Sequence, residues 1–297
     1  MPDENRYVVL NGGIGNQLWQ LSFAHLISKF GPVVLVRIHK SEKSAIQSNA
    51  GTDFLMKILQ NCNHHIQIET RDFSNISTRA QFIPESRYFI NGKRTLDTRR
   101  DIGPICENSE FARYFSFLGY YQDVVYLHDY VKTVLDEIIV SIDQQTKFNL
   151  SNREIDSFIH IRGGDYLEAR HRSIFGVLDS EYYCNVFRYL GRDMGKKNLI
   201  ITDDEAHAKK VLPNSEIFEL LGPNQANEWE SFQVMANSKL AVIANSTFSW
   251  WAGMITLRRG GRLIAPFPWT KKEKDSGLFT SSIFAEGIER IPSSFIN

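Results

Sequence analysis

The chain carries no excess of either charge: its 34 Lys plus Arg are balanced by 34 Asp plus Glu. A polyanion would therefore need a local basic face. No long Lys/Arg run supplies one, and pairs such as Arg99–Arg100 and Lys271–Lys272 read as solvated surface, so nucleic acid is not expected as a partner. Cysteine is scarce. Cys62, Cys106 and Cys184 lie far apart, without a CxxC pair or a histidine at zinc spacing. That excludes a disulfide framework, argues against metal ligation, and suits thiols in a reducing compartment. Long apolar runs are missing as well, and nothing approaches the roughly eighteen residues of a membrane span. Met1–Arg6 is polar and a strand-like Tyr7–Leu10 follows at once, leaving no room for a signal-peptide core. The expectation is a cytoplasmic chain with at most peripheral contact with the inner membrane face. The Asn-x-Ser/Thr triplets at Asn75, Asn149 and Asn245 then carry no weight.

What is present is an alternation of strand and helix signals. Tyr7–Leu10 reads as a strand, Gly12-Gly13-Ile14-Gly15 as a turn, and 16–30 as a helix whose Trp19, Phe23, Leu26, Ile27 and Phe30 share one face. Gly31–Pro32 stops it before the β-branched Val33–Ile38. Residues from about 70 to 110 show weak periodicity and are expected to be irregular, and 120–142 is aromatic, then helical in pattern. A polar stretch near 141–154 marks the expected seam between two domains, 1–150 and 151–297. In the second, strands at 157–162, 198–202, 217–221, 240–244 and 262–266 alternate with helices at 179–192, 203–212, 227–238 and 246–257. That pattern calls for a parallel sheet with right-handed crossovers, an α/β fold.

Three of those strands end in polar clusters: Gly163-Gly164-Asp165, Asp203-Asp204 and Asn245-Ser246-Thr247. In an open parallel sheet the loops after the strands' carboxyl ends meet along one edge, so the three clusters are expected to converge there. Together they suit a nucleotide diphosphate sugar. Arg162 offers a planar fork to a phosphate, and the glycines let the backbone approach closely. Asn245, Ser246 and Thr247 open a helix whose N–H groups and dipole favour an anion. Asp203 or Asp204 would accept from guanine N–H groups or bind ribose. Each has a plainer reading: Ser246, Thr247, Asp203 and Asp204 as helix caps, Arg162 as an ion-pair partner of Asp165, and Gly163-Gly164 as a turn. In the first domain the dinucleotide fingerprint G-x-G-x-x-G fails, because Leu18 occupies its third glycine position and the next strand ends in Arg37-Ile38-His39. An oxidoreductase is disfavoured, leaving a tight turn that presents Asn16 and Gln17.

At these residues the sequence resembles the α-1,2-fucosyltransferases of glycosyltransferase family 11. Gly12-Gly13-Ile14-Gly15-Asn16-Gln17-Leu18-Trp19-Gln20 is similar to the family's N-terminal G-G-[LI]-G-N-Q element, and Gly119-Tyr120-Tyr121-Gln122 to its G-Y-[FY]-Q. His160-Ile161-Arg162-Gly163-Gly164-Asp165-Tyr166 resembles H-[IV]-R-R-G-D-Y, Thr202-Asp203-Asp204 the S/T-D-D element, and 244–251 the A-N-S-S-F-S-W-W box. Five elements in order span residues 12–251. Two departures stand out: Gly163 replaces the motif's second Arg, and Ser231 stands where many members have Asp, with Glu228 and Glu230 close by.

The resemblance implies a GT-B-type fold of two Rossmann-like domains, with the donor site in the C-terminal one and the acceptor side in the N-terminal one. It implies inverting transfer of L-fucose from GDP-fucose to a galactose hydroxyl, O2 by the family's linkage, on a glycan or surface-polysaccharide precursor, with no cofactor and no metal. Donor-binding residues would be His160, Arg162, Asp203, Asp204, Asn245, Ser246, Thr247, Phe248 and Ser249, with Gly13, Gly15, Asn16 and Gln17 across a cleft. Arg162 would neutralise the β-phosphate. Asp165 is a candidate base, and Glu168 and His171 on the following loop are others. Asp203-Asp204 lacks the D-x-D spacing of metal-dependent transferases, and Trp250 and Trp251 read as core anchors. The rival readings are a non-catalytic nucleotide- or glycan-binding relative and a transferase using a different nucleotide sugar.

Overall fold

The computed structural model describes residues 5–38, 53–60, 66–71, 82–84, 116–144, 155–212, 218–279 and 281–296. Internal contacts divide the chain into two units, Met1–Gln144 with Thr280–Ala285, and Gln145–Phe279 with Glu286–Asn297. Of the expected seam at 141–154, residues 141–144 still belong to the helix His128–Gln144, and 145–154 lie outside the described residues. The excursion Thr280–Ala285 joins the first unit through an Asp123–Ser282 bridge, with the Val124 N–H donating to the Ser282 carbonyl at 2.7 Å.

The first unit is built on strands β1 (Arg6–Leu10), β2 (Val33–Ile38), β3 (Ile66–Arg71), β4 (Phe82–Pro84) and β5 (Ser116–Leu118), in spatial order β3-β2-β1-β5-β4 and all parallel. β1 is buried along its whole length, as a central parallel strand covered on both faces must be. The helix Ile14–Ile27 packs on β1 and on the helix His128–Gln144. The latter buries Val131, Val134, Leu135, Ile138 and Ile142, an apolar stripe at helical spacing.

The second unit contains β6 (Ser157–Ile161), β7 (Asn198–Thr202), β8 (Glu219–Leu221), β9 (Leu240–Val242), β10 (Arg262–Phe267) and β11 (Ile288–Pro292). They too are parallel throughout, in order β11-β10-β9-β6-β7-β8. The chain steps outward from β6 to β8, returns to the other side of β6, and steps outward again through β9 to β11. Neighbouring loops therefore leave in opposite directions between β6 and β9, opening a crevice at their carboxyl ends. One face of β6 puts Ile159 and Ile161 into a core with Tyr182, Tyr183 and Val186 of the helix Ser180–Leu190, and Ala208 and Val211 of the helix Glu205–Val211. The helices Glu228–Ala236 and Thr247–Arg258 pack on each other, and the second also lies on β9 and β10. Its Trp250 and Trp251 are buried, meeting edge to face at 5.2 Å.

Two separate α/β units on all-parallel sheets form the GT-B-type architecture expected from the sequence. The expected strands are all present, three of them shortened: β6 ends at Ile161, β8 begins at Glu219 and β9 ends at Val242, so that Arg162 and Ala244 already lie on loops. The sequence pattern marks no strand at β3, β4, β5 or β11, and β4 lies within the stretch expected to be irregular. Most of the stretch 70–110 lies outside the described residues, as do Cys62, Cys106, Asn75, Asn149 and Arg99–Arg100. Cys184 is a free, exposed thiol. Among the described residues no helix is long and apolar enough to cross a membrane.

Candidate active site

The loop after β6 is organised by Arg162. Its Nη1 meets Asp203 Oδ2 at 2.7 Å and its Nη2 meets Asp165 Oδ1 at 2.5 Å, so one guanidinium ties the ends of β6 and β7 together. Asp203 does more than pair: its Oδ1 accepts the Gly163 backbone N–H at 2.8 Å. Gly164 has a φ of +41°, and a Cβ there would fall 2.3 Å from Asp203 Oδ2, so this turn requires glycine. Burial alone would lower the Arg162 pKa, but Asp203 and Asp165 outweigh it and raise it, fixing the cation. Its ring neighbour Tyr166, 5.2 Å from the guanidinium carbon, is pushed up to about 12 by burial and stays protonated.

The two adjacent aspartates, alike in sequence, do different work. Asp204 accepts the His207 N–H at 2.9 Å and caps the helix Glu205–Val211, while Thr202 Oγ1 accepts the Asp204 N–H at 3.0 Å. Asp203 faces Arg162. His160 occupies the face of β6 opposite the Ile159 core, 6.2 Å from the Phe248 ring, and is 3% exposed. Burial, reinforced by the Arg162 charge, depresses its pKa to about 3, so the ring is neutral. Its Nδ1 has no partner among the described residues. Glu228, at the start of its helix, lies close enough to feel Arg162: crowding raises its pKa and the guanidinium opposes the rise. Glu230 is taken up in a capping box with Asn227, and Ser231 is buried.

Beside β6, the β9 loop leads into the helix Thr247–Arg258. Its N-cap Ser246 makes no side-chain cap, and its first turn holds no acidic residue. The other helices of this unit that begin at Ser180, Glu205, Glu228 and Lys271 are each capped by a side chain. An uncapped, acid-free helix start at a crevice leaves its positive end available to an anion. Not every residue of the A-N-S box faces that end. Ser249 is fully buried and donates to the Ser246 carbonyl at 3.2 Å. Asn245 is 2% exposed, and its Nδ2 donates to the Phe175 and Gly176 carbonyls at 2.9 and 3.2 Å. Its own carbonyl accepts from the Tyr166 hydroxyl at 3.2 Å. Asn245 thus pins the loop between Arg162 and β7 to the loop after β9. Thr247 and Phe248 are half-buried.

In the first unit the Gly-rich turn follows β1. Gly12 carries the positive φ, +79°, and a Cβ there would strike Asn16 Nδ2. Gly13 is the N-cap of the following helix, with open space where a Cβ would stand, and Gly15 is buried within its first turn. Gln17 is fully buried and braces the turn, Nε2 donating to the Gly12 carbonyl at 3.0 Å. Asn16 is the half-buried member, its Oδ1 accepting from Gln122 Nε2 at 2.9 Å. Gln20 closes the circle by donating to the Gly119 carbonyl at 2.8 Å, so the first two sequence elements form one structure. Gln20 and Gln122 carry no charge to mark this pairing, and no periodicity foretells it.

The sequence profile described as "Glycosyl transferase family 11" matches residues 84–286, more than half the chain. An Escherichia coli α-1,2-colitosyltransferase is 30% identical over 171 residues, a stretch covering 53% of this chain and only 57% of that relative. The Escherichia coli O-antigen biosynthesis glycosyltransferase WbnK is 22% identical over 93% of this chain and 98% of its own length. Among solved structures, the fucosyltransferase NodZ from Bradyrhizobium aligns with 84% of this chain and 93% of its own, at 14% identity and a TM-score of 0.49. The Escherichia coli heptosyltransferase WaaC with ADP aligns with 97% and 93%, at 10% identity and a TM-score of 0.47.

Proposed function

The chain belongs to glycosyl transferase family 11, and on that premise we propose that it transfers L-fucose from GDP-fucose, with inversion and without a metal, to O2 of a terminal galactose. As a glycosyltransferase it moves sugar from a nucleotide-sugar donor, and the finer reading concerns which donor, which acceptor and how. It rests above all on Arg162, held rigidly at the point where the strand order reverses, beside a helix start whose N-cap Ser246 makes no side-chain cap. Negative charge grows on the departing diphosphate as the sugar acquires oxocarbenium character. A fixed guanidinium and an uncapped helix end stabilise that charge without reorganising, which is where electrostatic catalysis gains most.

Asp165 and Asp203 grip Arg162 between them, so a divalent cation at the same carboxylates would sit against the guanidinium charge. This arrangement supports a reaction in which Arg162 takes the part that a metal plays elsewhere. Asp203 is the carboxylate offered to the base or ribose, with Asp204 committed to its cap. Asn16 supplies the polar group expected of the acceptor side.

The test is GDP release from GDP-fucose against a panel of galactosides, in EDTA, with NMR analysis of the product linkage. Strict dependence on Mn²⁺, or a product other than the α-1,2-fucoside, refutes the reading. A second donor belongs on the same panel: the relative named for colitose transfer makes a colitose-bearing nucleotide sugar, tested as GDP-colitose, the alternative. Comparing kcat/KM for the two GDP-sugars decides between them.

A further inference from the structure

We propose that His171 is the general base that removes the proton from the acceptor hydroxyl. This rests on the transfer reading given above and supplies the residue that reading leaves open. Three groups on the loop after β6 invite the role. Asp165 has one oxygen on Arg162 at 2.5 Å and turns the other toward the His171 ring at 3.8 Å, so both are engaged. Glu168 is exposed, makes no side-chain cap at the helix it precedes, and has nothing among the described residues to orient it. His171 alone is both oriented and open.

The orientation follows from one hydrogen bond. His171 Nδ1 lies 3.0 Å from the Asp165 backbone carbonyl, and a carbonyl oxygen only accepts. Nδ1 must therefore carry the hydrogen, and the neutral ring presents its basic lone pair on Nε2. Nε2 has no hydrogen-bond partner among the described residues, and the side chain is 34% exposed. Asp165 Oδ2 beside the same ring stabilises the imidazolium that forms on proton uptake. A nitrogen fixed by a carbonyl and backed by a carboxylate, with the opposite nitrogen open, is the constellation a base requires.

Both ends of the segment that carries the ring are anchored. At one end Asp165 is held by Arg162. At the other, Phe175 lies 6.1 Å from the His171 ring and stacks on Tyr166 at 5.3 Å, and Asn245 holds the Phe175 carbonyl. Asp165 thus links the base directly to the cation assigned to the leaving group. In the step, the acceptor oxygen bonds to the anomeric carbon. The bond from that carbon to the diphosphate oxygen breaks, its electron pair leaving with the diphosphate beside Arg162. The hydroxyl proton passes to His171 Nε2.

The deciding variant is His171→Asn, whose amide N–H replaces that of Nδ1 and keeps the tie to the Asp165 carbonyl while removing the basic nitrogen. It is compared with wild type on the donor–acceptor pair that wild type turns over best. An error in donor identity then shows in the wild-type panel, and an error about His171 only in the ratio. The expected result is a fall in kcat of about 10²-fold or more, with donor KM and melting temperature little changed. Added imidazole should restore part of the lost rate in His171→Ala. If His171→Asn keeps kcat within about threefold of wild type, or donor KM absorbs the whole loss, the ring is structural and the assignment falls.

Discussion

Replacing Gly163 with Arg would restore the second arginine of the family motif, and a sequence argument alone would expect a stronger donor site. The structure predicts the reverse. Gly163 is buried, and a Cβ on it would fall 2.9 Å from Asp204 Cβ and 3.1 and 3.2 Å from His207 Cδ2 and Cβ. His207 is itself 6% exposed and has no open space to retreat into, while Asp204, only half-buried, is held by its cap. Overpacking of this kind costs about 1–3 kcal/mol. If Asp204 yields, it gives up its cap on the His207 N–H, a further loss of about 0.5–2 kcal/mol. If the backbone yields instead, the Gly163 N–H draws away from Asp203 and the grip on Arg162 loosens. A total of roughly 2–4 kcal/mol in a unit of this size lowers Tm by roughly 5–15 °C. Thermal melting of Gly163→Arg, alongside GDP-release kinetics, should therefore show a lower Tm and reduced transfer. The double variant with His207→Ala should recover part of the Tm, because it vacates the space. A Gly163→Arg protein with wild-type Tm and undiminished turnover would refute this packing argument.

The adjacent aspartates should separate cleanly. Asp204→Ala loses a cap, costing about 0.5–2 kcal/mol in a denaturant melt while donor KM holds; Asp203→Asn should keep most of its stability but lose donor affinity and turnover. Reversed outcomes would show the roles to be exchanged. His160 gives a pH dependence. Its folded pKa, about 3, lies below the ordinary histidine value near 6.5, so between those limits the unfolded chain binds a proton that the native ring refuses. The stability this confers is complete above about pH 6.5 and lost as pH falls, by about 2–3 kcal/mol at pH 4.5. Chemical denaturation at pH 7 and 4.5 should show a smaller acid loss in His160→Gln than in wild type; equal losses would contradict it.

Much of the second unit was legible because parallel strands advertise themselves. Ser157–Ile161, Asn198–Thr202 and Arg262–Phe267 are apolar runs bounded by polar turns, and their loops fall on one edge by topology alone. β11 hid because Ile288–Pro292 breaks strand alternation, with Glu289 and Arg290 between isoleucines three positions apart, at the sheet's edge. Roles within the site were less legible than its location. Asp203 and Asp204 differ by one position and share every local propensity; only the direction in which each points from the end of β7 makes one a cap and the other a partner of Arg162. Likewise Asn245 sits in a hydroxyl-rich box that suggests anion binding, yet its amide is spent on the Phe175 and Gly176 carbonyls. Such assignments depend on distances across the sheet that sequence spacing does not encode. His171 is a further case, since its significance comes from the tautomer imposed by a carbonyl six residues earlier in the chain.

The charge arithmetic at Arg162 constrains what the site can be. One guanidinium between two carboxylates leaves a cluster of net negative charge before any donor arrives, so Arg162 does not act as an isolated cation drawing in a diphosphate. Its value lies in geometry. With Nη1 on Asp203 and Nη2 on Asp165, the plane cannot swing, and the remaining Nη hydrogens point where the two carboxylates direct them. Attraction for the incoming anion is then left to the uncapped start of the helix Thr247–Arg258, while Arg162 meets the charge that develops as the bond breaks. A lysine at 162 keeps the charge but not the fork: a compact ammonium cannot hold both carboxylates and still present a directed donor. Arg162→Lys should therefore lose nearly as much kcat as Arg162→Ala, about 10²–10³-fold, while GDP affinity in a calorimetric titration falls far less. A lysine variant retaining a tenth or more of wild-type kcat would mean that charge alone suffices, and that the two aspartates merely neutralise a surface arginine.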